Sequence, residues 1–81
     1  MPTLKDLASR LRKLRAHFDL TQQQVSELTG VSYKYYQRIE SGHQRHMWLD
    51  TAERFAHLYH LDLWQLLHPD FLKYAKKPRA R

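Results

Sequence analysis

The sequence predicts an all-α protein, a compact bundle of about five short helices. Only two glycines and three prolines occur among 81 residues, fewer than a chain of many short strands and turns would contain. Apolar residues recur three and four positions apart, which places them on one face of a helix. Residues that cap helices stand just before several of these segments, where they can accept hydrogen bonds from free backbone N–H groups.

The first helix is predicted to begin after Thr3, a good capping residue, with Asp6 in its first turn. We expect the helix to end at residues 18–20, where Asp19 tolerates the left-handed backbone that such an exit often needs. Its buried face is predicted to consist of four leucines at helical spacing: Leu4, Leu7, Leu11 and Leu14.

A capping box at Thr21 and Gln24 predicts the start of the second helix. The Thr21 hydroxyl can accept from the Gln24 amide while the Gln24 side chain reaches back to Thr21. Val25 and Leu28 are expected to face inward. Gly30 is expected to end the helix, because a residue without Cβ turns left-handed at little cost.

Ser32 can cap a third helix, whose residues divide between two faces on a helical wheel. The inner face continues the core with Tyr36, Ile39 and Glu40. The outer side chains are of kinds that contact base edges: lysine and arginine suit guanine, glutamine suits adenine, and tyrosine can contact phosphate or a thymine methyl. A polar face is more often only a solvated face, so composition alone leaves both interpretations open. The outer face bears Tyr33, Lys34, Gln37, Arg38 and Ser41.

The rest of the chain predicts two shorter helices and a tail. Asp62 and Gln65 resemble another capping signal, so LDLWQLL is predicted to form a short helix. Pro69 ends that helix or starts one more turn. We therefore assign residues 1–68 to the folded domain and residues 69–81 to a basic tail, with one short helical turn at most before disorder. The fourth helix follows the polar loop SGHQRH, and its expected inward positions are Leu49, Ala52, Phe55, Ala56 and Tyr59.

The positive charge is concentrated at the two ends of the sequence. Residues 1–20 and residues 61–81 each carry five basic and two acidic side chains, so each segment contributes +3 to the net charge of +6, and residues 21–60 balance to zero. Basic ends suit a polyanionic partner whose affinity depends on salt. They equally suit a small protein that is basic only for solubility, so charge does not decide between these explanations.

The segment LTQQQVSELTGVSYKYYQRIESG resembles the helix-turn-helix domain of the lambda-repressor-like family, of the Cro/cI or xenobiotic-response-element type. The segment LDTAERFAHLYHLDLWQLL resembles the fourth and fifth helices of that family, so the resemblance covers about residues 4–67. The matching features are Leu20-Thr21-Gln22, Val25, a small residue at Ser26, Gly30-Val31-Ser32, and Ile39-Glu40 followed by Gly42.

The chain departs from that family pattern at a few positions. Asp19 and His60 stand where glycine is frequent, and the loop from His43 to Trp48 lacks a common proline. Tyr36 stands where an aliphatic residue is usual. We expect Tyr36 to keep its hydroxyl near the surface, because a buried hydroxyl needs a hydrogen-bond partner.

The resemblance implies a helix, Ser32 to Ser41, that enters the major groove of DNA. It also implies an ion pair between Arg15 and Glu40, which we expect to be structural because desolvated charges must be paired. The loop histidines and arginine could contact phosphate or could only keep the loop soluble. The implied base contacts are Tyr33, Lys34 and Arg38, with Ser32 and Gln37 as further candidates. The candidate phosphate contacts are Gln22, Ser41, His43, Arg45 and His46.

We therefore expect a sequence-specific transcriptional regulator of double-stranded DNA, a repressor by family type. A homodimer on a palindromic operator is expected, because one short helix contacts few bases. Trp64 and Phe71 are candidates for the dimer surface, although Trp64 could instead close the core of a monomer. The alternative is a protein-interaction module on the same fold, either an antitoxin with a toxin partner or an adaptor. The chain could also be the N-terminal part of a longer repressor.

Several other classes of protein are not indicated. No Ser–His–Asp set and no glycine-rich phosphate loop is recognisable, so we expect neither an enzyme nor a cofactor. His43 and His46, like His57 and His60, have a spacing that could hold a metal, but no cysteine or suitable carboxylate completes either pair. No apolar run is long enough to span a membrane, and MPTLKDLASR lacks the apolar core of a signal peptide. We expect a cytoplasmic protein without a membrane partner.

Overall fold

A computed structural model describes residues 3–78, and their helices confirm the predicted all-α class. No β-strand occurs within that range. The sixth helix lies in the segment that was assigned to the tail, where the sequence had allowed one short helical turn. The helices are α1 (Leu4–His17), α2 (Gln22–Thr29), α3 (Tyr33–Glu40), α4 (Leu49–Leu58), α5 (Leu63–Leu66) and α6 (Phe71–Tyr74).

The predicted caps at the helix starts are formed. At α2, Thr21 Oγ1 accepts from the Gln24 N–H at 3.0 Å, and Gln24 Oε1 accepts from the Thr21 N–H at 2.8 Å. Thr3 and Asp6 form the same reciprocal box at α1, whereas at α3 the Ser32 hydroxyl accepts from the Tyr35 N–H at 3.2 Å without a return bond. At α5, the Asp62 N–H donates to the side chain of the third helical residue at 2.8 Å. These contacts satisfy backbone donors that the helices themselves leave free.

Left-handed residues lie in four of the connections between the described helices, and Gly42, with a φ of 78°, is the one between α3 and α4. Gly30 has a φ of 76°, and the non-glycine residues Asp19 and His60 have φ values of 56° and 60°. The latter two are the positions where the resembled family often has glycine. A side chain at such a φ costs on the order of 1 kcal/mol, so the chain keeps the backbone geometry of these turns at some expense in stability.

The core lies between α1, α2, α3 and α4 and is closed by α5 and α6. Leu4 and Leu28 are only half-buried. Leu49 was expected inward, but 62% of its surface is exposed. It is the first residue of α4, so its side chain leans toward the helix N-terminus, where no preceding turn of the helix covers it. The core residues are Leu7, Leu11, Leu14, Val25, Val31, Tyr36, Ile39, Phe55, Ala56, Tyr59, Leu61, Leu66 and Phe71.

Tyr36 is fully buried, so the expectation that its hydroxyl would lie near the surface is wrong. Its ring packs against Phe55 with the ring centres 5.4 Å apart. Its hydroxyl and that of Tyr59 find no hydrogen-bond partner among residues 3–78. Burial, reinforced by the negative Glu40 carboxylate nearby, raises the pKa of Tyr36 well above its ordinary value. The Tyr36 hydroxyl lies beside the Glu40 carboxylate, which favours the protonated hydroxyl, so this polar group is not isolated in the core.

Phe71 belongs to the core, with 5% of its surface exposed, so its assignment to a dimer surface is wrong. The Arg10 guanidinium lies 5.5 Å from the centre of its ring and donates to the Leu66 carbonyl oxygen at 3.1 Å. Trp64 is 58% exposed, so it does not close the core. Phe71 thus joins α6 to the core, and Arg10 of α1 covers its ring.

The segment predicted as a tail remains in contact with the bundle as far as the structure describes it. The Lys76 N–H donates to the Tyr59 carbonyl oxygen at 2.9 Å, and Pro78 is buried. Residues 75–78, which were expected to fray, are therefore joined to the end of α4. Residues 79–81, the remainder of the predicted tail, lie outside the described residues.

One ion pair connects α1 to the end of α3. Arg15 Nε donates to Glu40 Oε2 at 2.7 Å, and Arg15 Nη2 donates to Glu40 Oε1 at 3.1 Å. Arg15 also donates to the Leu20 carbonyl oxygen at 3.1 Å. Gln22 Nε2 donates to Glu40 Oε1 at 3.2 Å, and Arg12 donates to the backbone oxygen of Glu40. Donors from α1 and α2 thus converge on a carboxylate that is only 3% exposed.

The charge state of Glu40 follows from these bonds. Burial alone would raise the pKa of Glu40, but Arg15, the nearby Tyr36 hydroxyl and Gln22 oppose that effect and hold the pKa below its ordinary value of 4.5. The same contact raises the pKa of Arg15. Both groups are therefore charged at neutral pH, and each depends on the other for compensation of its lost hydration.

Removing one member of the pair should destabilise the domain strongly. Arg15→Ala and Glu40→Ala should each lower the free energy of unfolding by about 3–5 kcal/mol, because each leaves a desolvated charge without its partner. The double variant should lose less than the sum of the single losses. Denaturant unfolding of all three variants measures this coupling. Lys13→Ala, which changes an exposed cation of α1, is the control and should stay within about 0.5 kcal/mol of wild type. Additive losses would contradict a direct coupling.

The contribution of Glu40 should disappear in acid. Since folding lowers the pKa of Glu40 below 4.5, its contribution is present above that pH and is lost as the pH falls through the native pKa. The difference in unfolding free energy between wild type and Glu40→Gln should be constant from about pH 6 to 8 and shrink below about pH 4.5. Denaturant titrations across this range test it. An equal difference in acid and at neutral pH would mean that the carboxylate charge is unimportant.

Candidate nucleic-acid interface

The corner between α2 and α3 is braced by short-range hydrogen bonds. The Ser26 hydroxyl donates to the Val31 carbonyl oxygen at 2.5 Å. The Thr29 hydroxyl donates to the Val25 carbonyl oxygen at 2.7 Å and accepts from the Val31 N–H at 3.3 Å. Gly30 supplies the left-handed turn between them. Ser26 was noted in the sequence only as a small residue. In the structure its hydroxyl also bonds to the corner that positions α3.

The two faces of α3 are divided as the helical wheel predicts. Tyr36, Ile39 and Glu40 are buried and connect the helix to the core. Tyr35 is half-buried and packs against the same core. On the opposite side, Tyr33 is 42% exposed, and Gln37 is the one outer residue that is half-buried. The exposed members of the outer face are Ser32, Tyr33, Lys34, Arg38 and Ser41.

The loop after α3 forms a basic edge together with α1. Ser41 Oγ donates to the Arg38 carbonyl oxygen at 2.9 Å and lies 3.0 Å from His43 Nδ1. Lys5 and Arg12 line the same open depression as Ser41 and His43. Lys5 also lines a neighbouring depression with Arg45. We use the term basic edge for Lys5, Arg12, His43 and Arg45.

Lys5 and Arg12 were not predicted to belong to the DNA-contacting surface. Their signal was a spacing of seven residues, which places both on one face of α1, but the sequence alone did not indicate which loop would meet that face. Arg12 also bonds to the backbone of Glu40 at the end of α3. Arg10 and Arg15 of α1 thus bond to other parts of the fold, whereas Lys5 and Arg12 are exposed beside the loop.

The remaining phosphate candidates lie apart from the basic edge. Gln22 lines an open depression with Gln23 and Tyr33 at the start of α3. His46 lines a different depression with Tyr35 and Trp48. Gln22 lies alongside α3, next to Tyr33 and bonded to Gln37 and Glu40. The loop candidates follow the last residue of α3.

Residues 3–78 contain neither a metal-ligand cluster nor a membrane-spanning helix. No three histidine, aspartate or glutamate side chains in this range come together in an arrangement that could hold a metal ion. None of the helices described there is long and apolar enough to cross a lipid bilayer.

Comparison with protein families identifies the domain that carries this surface. Residues 6–67, from the first turn of α1 to the end of α5, match the family model described as a helix-turn-helix domain. Comparisons with curated proteins and with solved structures each found no significant match. Because the match covers more than half of the chain and includes the braced corner and α3, the chain belongs to the helix-turn-helix domain family.

Proposed function

We propose that this domain is a sequence-specific transcriptional regulator, a repressor of the lambda-repressor-like type, that contacts the major groove of double-stranded DNA with the helix from Ser32 to Ser41. The observation that carries the proposal is the exposed face of α3, where Tyr33, Lys34 and Arg38 project from a helix whose other face is locked into the core. Helix-turn-helix domains are DNA-binding domains that place their second helix in the major groove. We propose that the protein acts in the cytoplasm.

The basic edge supports a surface with two kinds of contact, to base edges from α3 and to phosphates from the residues around it. Lysine and arginine on α3 can donate to the two acceptors of guanine. Gln22 before α3, and Ser41, His43, Arg45 and His46 after it, are proposed to contact phosphates. Contacts to phosphate fix the register of a protein on the duplex, whereas contacts to base edges select its sequence. Lys5 and Arg12 are proposed to contact phosphates as well, because they adjoin the loop.

We further propose that the domain binds as a homodimer to a palindromic operator, because a single short helix contacts few bases. Trp64 remains the candidate for the dimer surface, since it is 58% exposed. Its ring meets Tyr74 edge-on at 5.9 Å and His68 at 6.3 Å. The three rings, which contact one another edge-on, form one aromatic cluster on α5, α6 and the turn between them.

A second candidate function is that of a protein-interaction module, either an antitoxin that binds a toxin or an adaptor. The observation that favours it is a pair of exposed apolar side chains, Trp48 at 81% and Leu49 at 62%. Large apolar side chains exposed next to each other are frequent at protein–protein contacts. Antitoxins that resemble this fold often bind DNA as well, so the two classes overlap. Failure to retain any DNA would favour a pure adaptor.

Selection from a random duplex library tests the proposal directly. The protein should enrich one sequence with two-fold symmetry, and its affinity for that sequence should fall with salt. The logarithm of the binding constant should decline against the logarithm of salt concentration with a slope of about −0.9 for each phosphate neutralised. Titration of the selected duplex at several salt concentrations gives the slope. If no sequence is enriched, the interaction module becomes the better candidate.

Arg38 and Arg45 form a matched pair that separates base contact from phosphate contact. Arg38→Ala should cost about 1–3 kcal/mol on the selected duplex and much less on a scrambled one, because its guanidinium can bond to guanine O6 and N7. Lys34→Ala should act in the same direction but more mildly, since lysine lacks the rigid two-pronged geometry. Titrations of both duplexes at one salt concentration measure the ratio of affinities.

Arg45→Ala provides the control for this series. It should weaken both duplexes to a similar degree and reduce the salt slope by about one phosphate. If Arg38→Ala and Lys34→Ala both keep the wild-type ratio between selected and scrambled duplexes, α3 is not the helix that selects the sequence.

A further inference from the structure

Three side chains connect the buried ion pair to the outer face of α3. Glu40 Oε1 accepts from Gln22 Nε2 at 3.2 Å, and Gln22 Oε1 accepts from Gln37 Nε2 at 3.4 Å. Glu40 is 3% exposed, whereas both glutamines are half-buried. We call Glu40, Gln22 and Gln37 the amide chain. It runs from the core to a position on the surface proposed to face DNA.

The carboxylate determines the direction of both amides in this chain. An ionised carboxylate only accepts hydrogen bonds, so Gln22 must turn its NH2 group toward Glu40. The oxygen of Gln22 then faces Gln37, which must in turn offer its own NH2 group. Reversing either amide would bring two acceptors together and break the hydrogen bond between them. Arg15 keeps the carboxylate ionised by donating to both of its oxygens.

The outward side of Gln37 therefore has a defined pattern of hydrogen bonding. One of its two N–H groups is committed to Gln22, which leaves one N–H donor and the carbonyl oxygen. In the major groove, adenine presents the N6 amino donor and the N7 acceptor, whereas guanine presents two acceptors, N7 and O6. A glutamine with one free donor and one free acceptor complements adenine. Guanine would place an acceptor against the amide oxygen.

We propose that Gln37 selects adenine at one position of the bound sequence and that Gln22 and Glu40 are positioning residues that set the orientation of its amide. The inference rests on the proposed function and adds to it the identity of one base. Gln37 differs in this respect from Lys34 and Arg38, which are exposed and carry only donors. Its selectivity depends on the core of the protein and not only on its own side chain.

The first experiment locates the base that Gln37 contacts. Duplexes are selected from a random library with the wild type and with Gln37→Ala, and the two preferred sequences are aligned. We expect the variant to lose its preference at one position of each half-site and to keep the others. The base that wild type prefers at that position should be adenine. Because Gln37 is only half-buried, we expect the variant to fold. Circular dichroism should show the helix content of the wild type.

The second experiment tests the contact with defined duplexes. The selected sequence is made with adenine, with guanine (and cytosine opposite it) or with 7-deazaadenine at that position. Wild type should bind the adenine duplex about tenfold or more tightly than the guanine duplex, which is the discrimination expected of a good bidentate contact. It should also bind 7-deazaadenine several-fold more weakly, because the N7 acceptor is missing. Gln37→Ala should bind all three duplexes with similar affinity.

The third experiment tests the positioning role of Gln22. Gln22→Leu removes both of its hydrogen bonds and frees the Gln37 amide to turn, so the ratio of adenine to guanine affinity should fall several-fold toward one. A merely structural role would weaken both duplexes equally and leave the ratio unchanged. Gln22→Met repeats the test with an unbranched side chain. Gln23→Leu is the matched control, because that neighbouring side chain bonds to Glu27 and not to the amide chain.

The outcomes distinguish this inference from the function on which it rests. If wild type enriches no sequence, the proposed function fails and the inference with it. If wild type enriches a sequence but Gln37→Ala keeps every base preference, or if the affected base is not adenine, the inference alone is overturned. If Gln37→Ala abolishes the preference while folded Gln22 variants keep the ratio, Gln22 is not a positioning residue.

Discussion

The buried carboxylate of Glu40 is the constraint on which the arrangement of the helices depends. It has lost its hydration, so it remains ionised only where Arg15 and Gln22 bring donors to it. Those donors come from α1 and from the first residue of α2, and Arg15 also holds the Leu20 carbonyl between the two helices. An apolar contact would tolerate many small shifts of α3. A hydrogen-bonded ion pair tolerates few, because each shift leaves a polar atom unpaired.

The orientation of the exposed face of α3 follows from this constraint. Arg38 and Glu40 are two residues apart, so when the second is fixed in the core the first is turned outward. The corner before α3 adds rigidity, because Ser26 and Thr29 bond to its backbone. A surface that is already ordered loses little conformational entropy when it binds a partner. The same carboxylate extends its influence outward through Gln22 to Gln37, so core and surface are parts of one hydrogen-bond network.

This arrangement has costs that the rest of a small domain must offset. Asp19 and His60 adopt left-handed backbone, and the hydroxyls of Tyr36 and Tyr59 are buried without partners in the range described. The chain has no cysteine to brace it. The extension that ends in α6 offsets part of the cost, because it adds the apolar area of Phe71 to the core. For 81 residues such an addition matters, since a domain of this size buries a modest fraction of its surface.

Local sequence patterns predicted the helix caps, the left-handed turns at Asp19 and Gly30, and the two faces of α3. A family resemblance predicted the pairing of Arg15 with Glu40. Caps and faces depend on residues three or four positions apart, so local spacing is sufficient to predict them. The packing of the helices could not be predicted in this way. It buries Phe71 and the hydroxyl of Tyr36 and leaves Leu49 and Trp64 exposed. It also brings Arg10, Arg12 and Gln22 to oxygen atoms of other helices. Those outcomes depend on partners 15 to 56 residues away, whose distance in space no local pattern of side chains specifies.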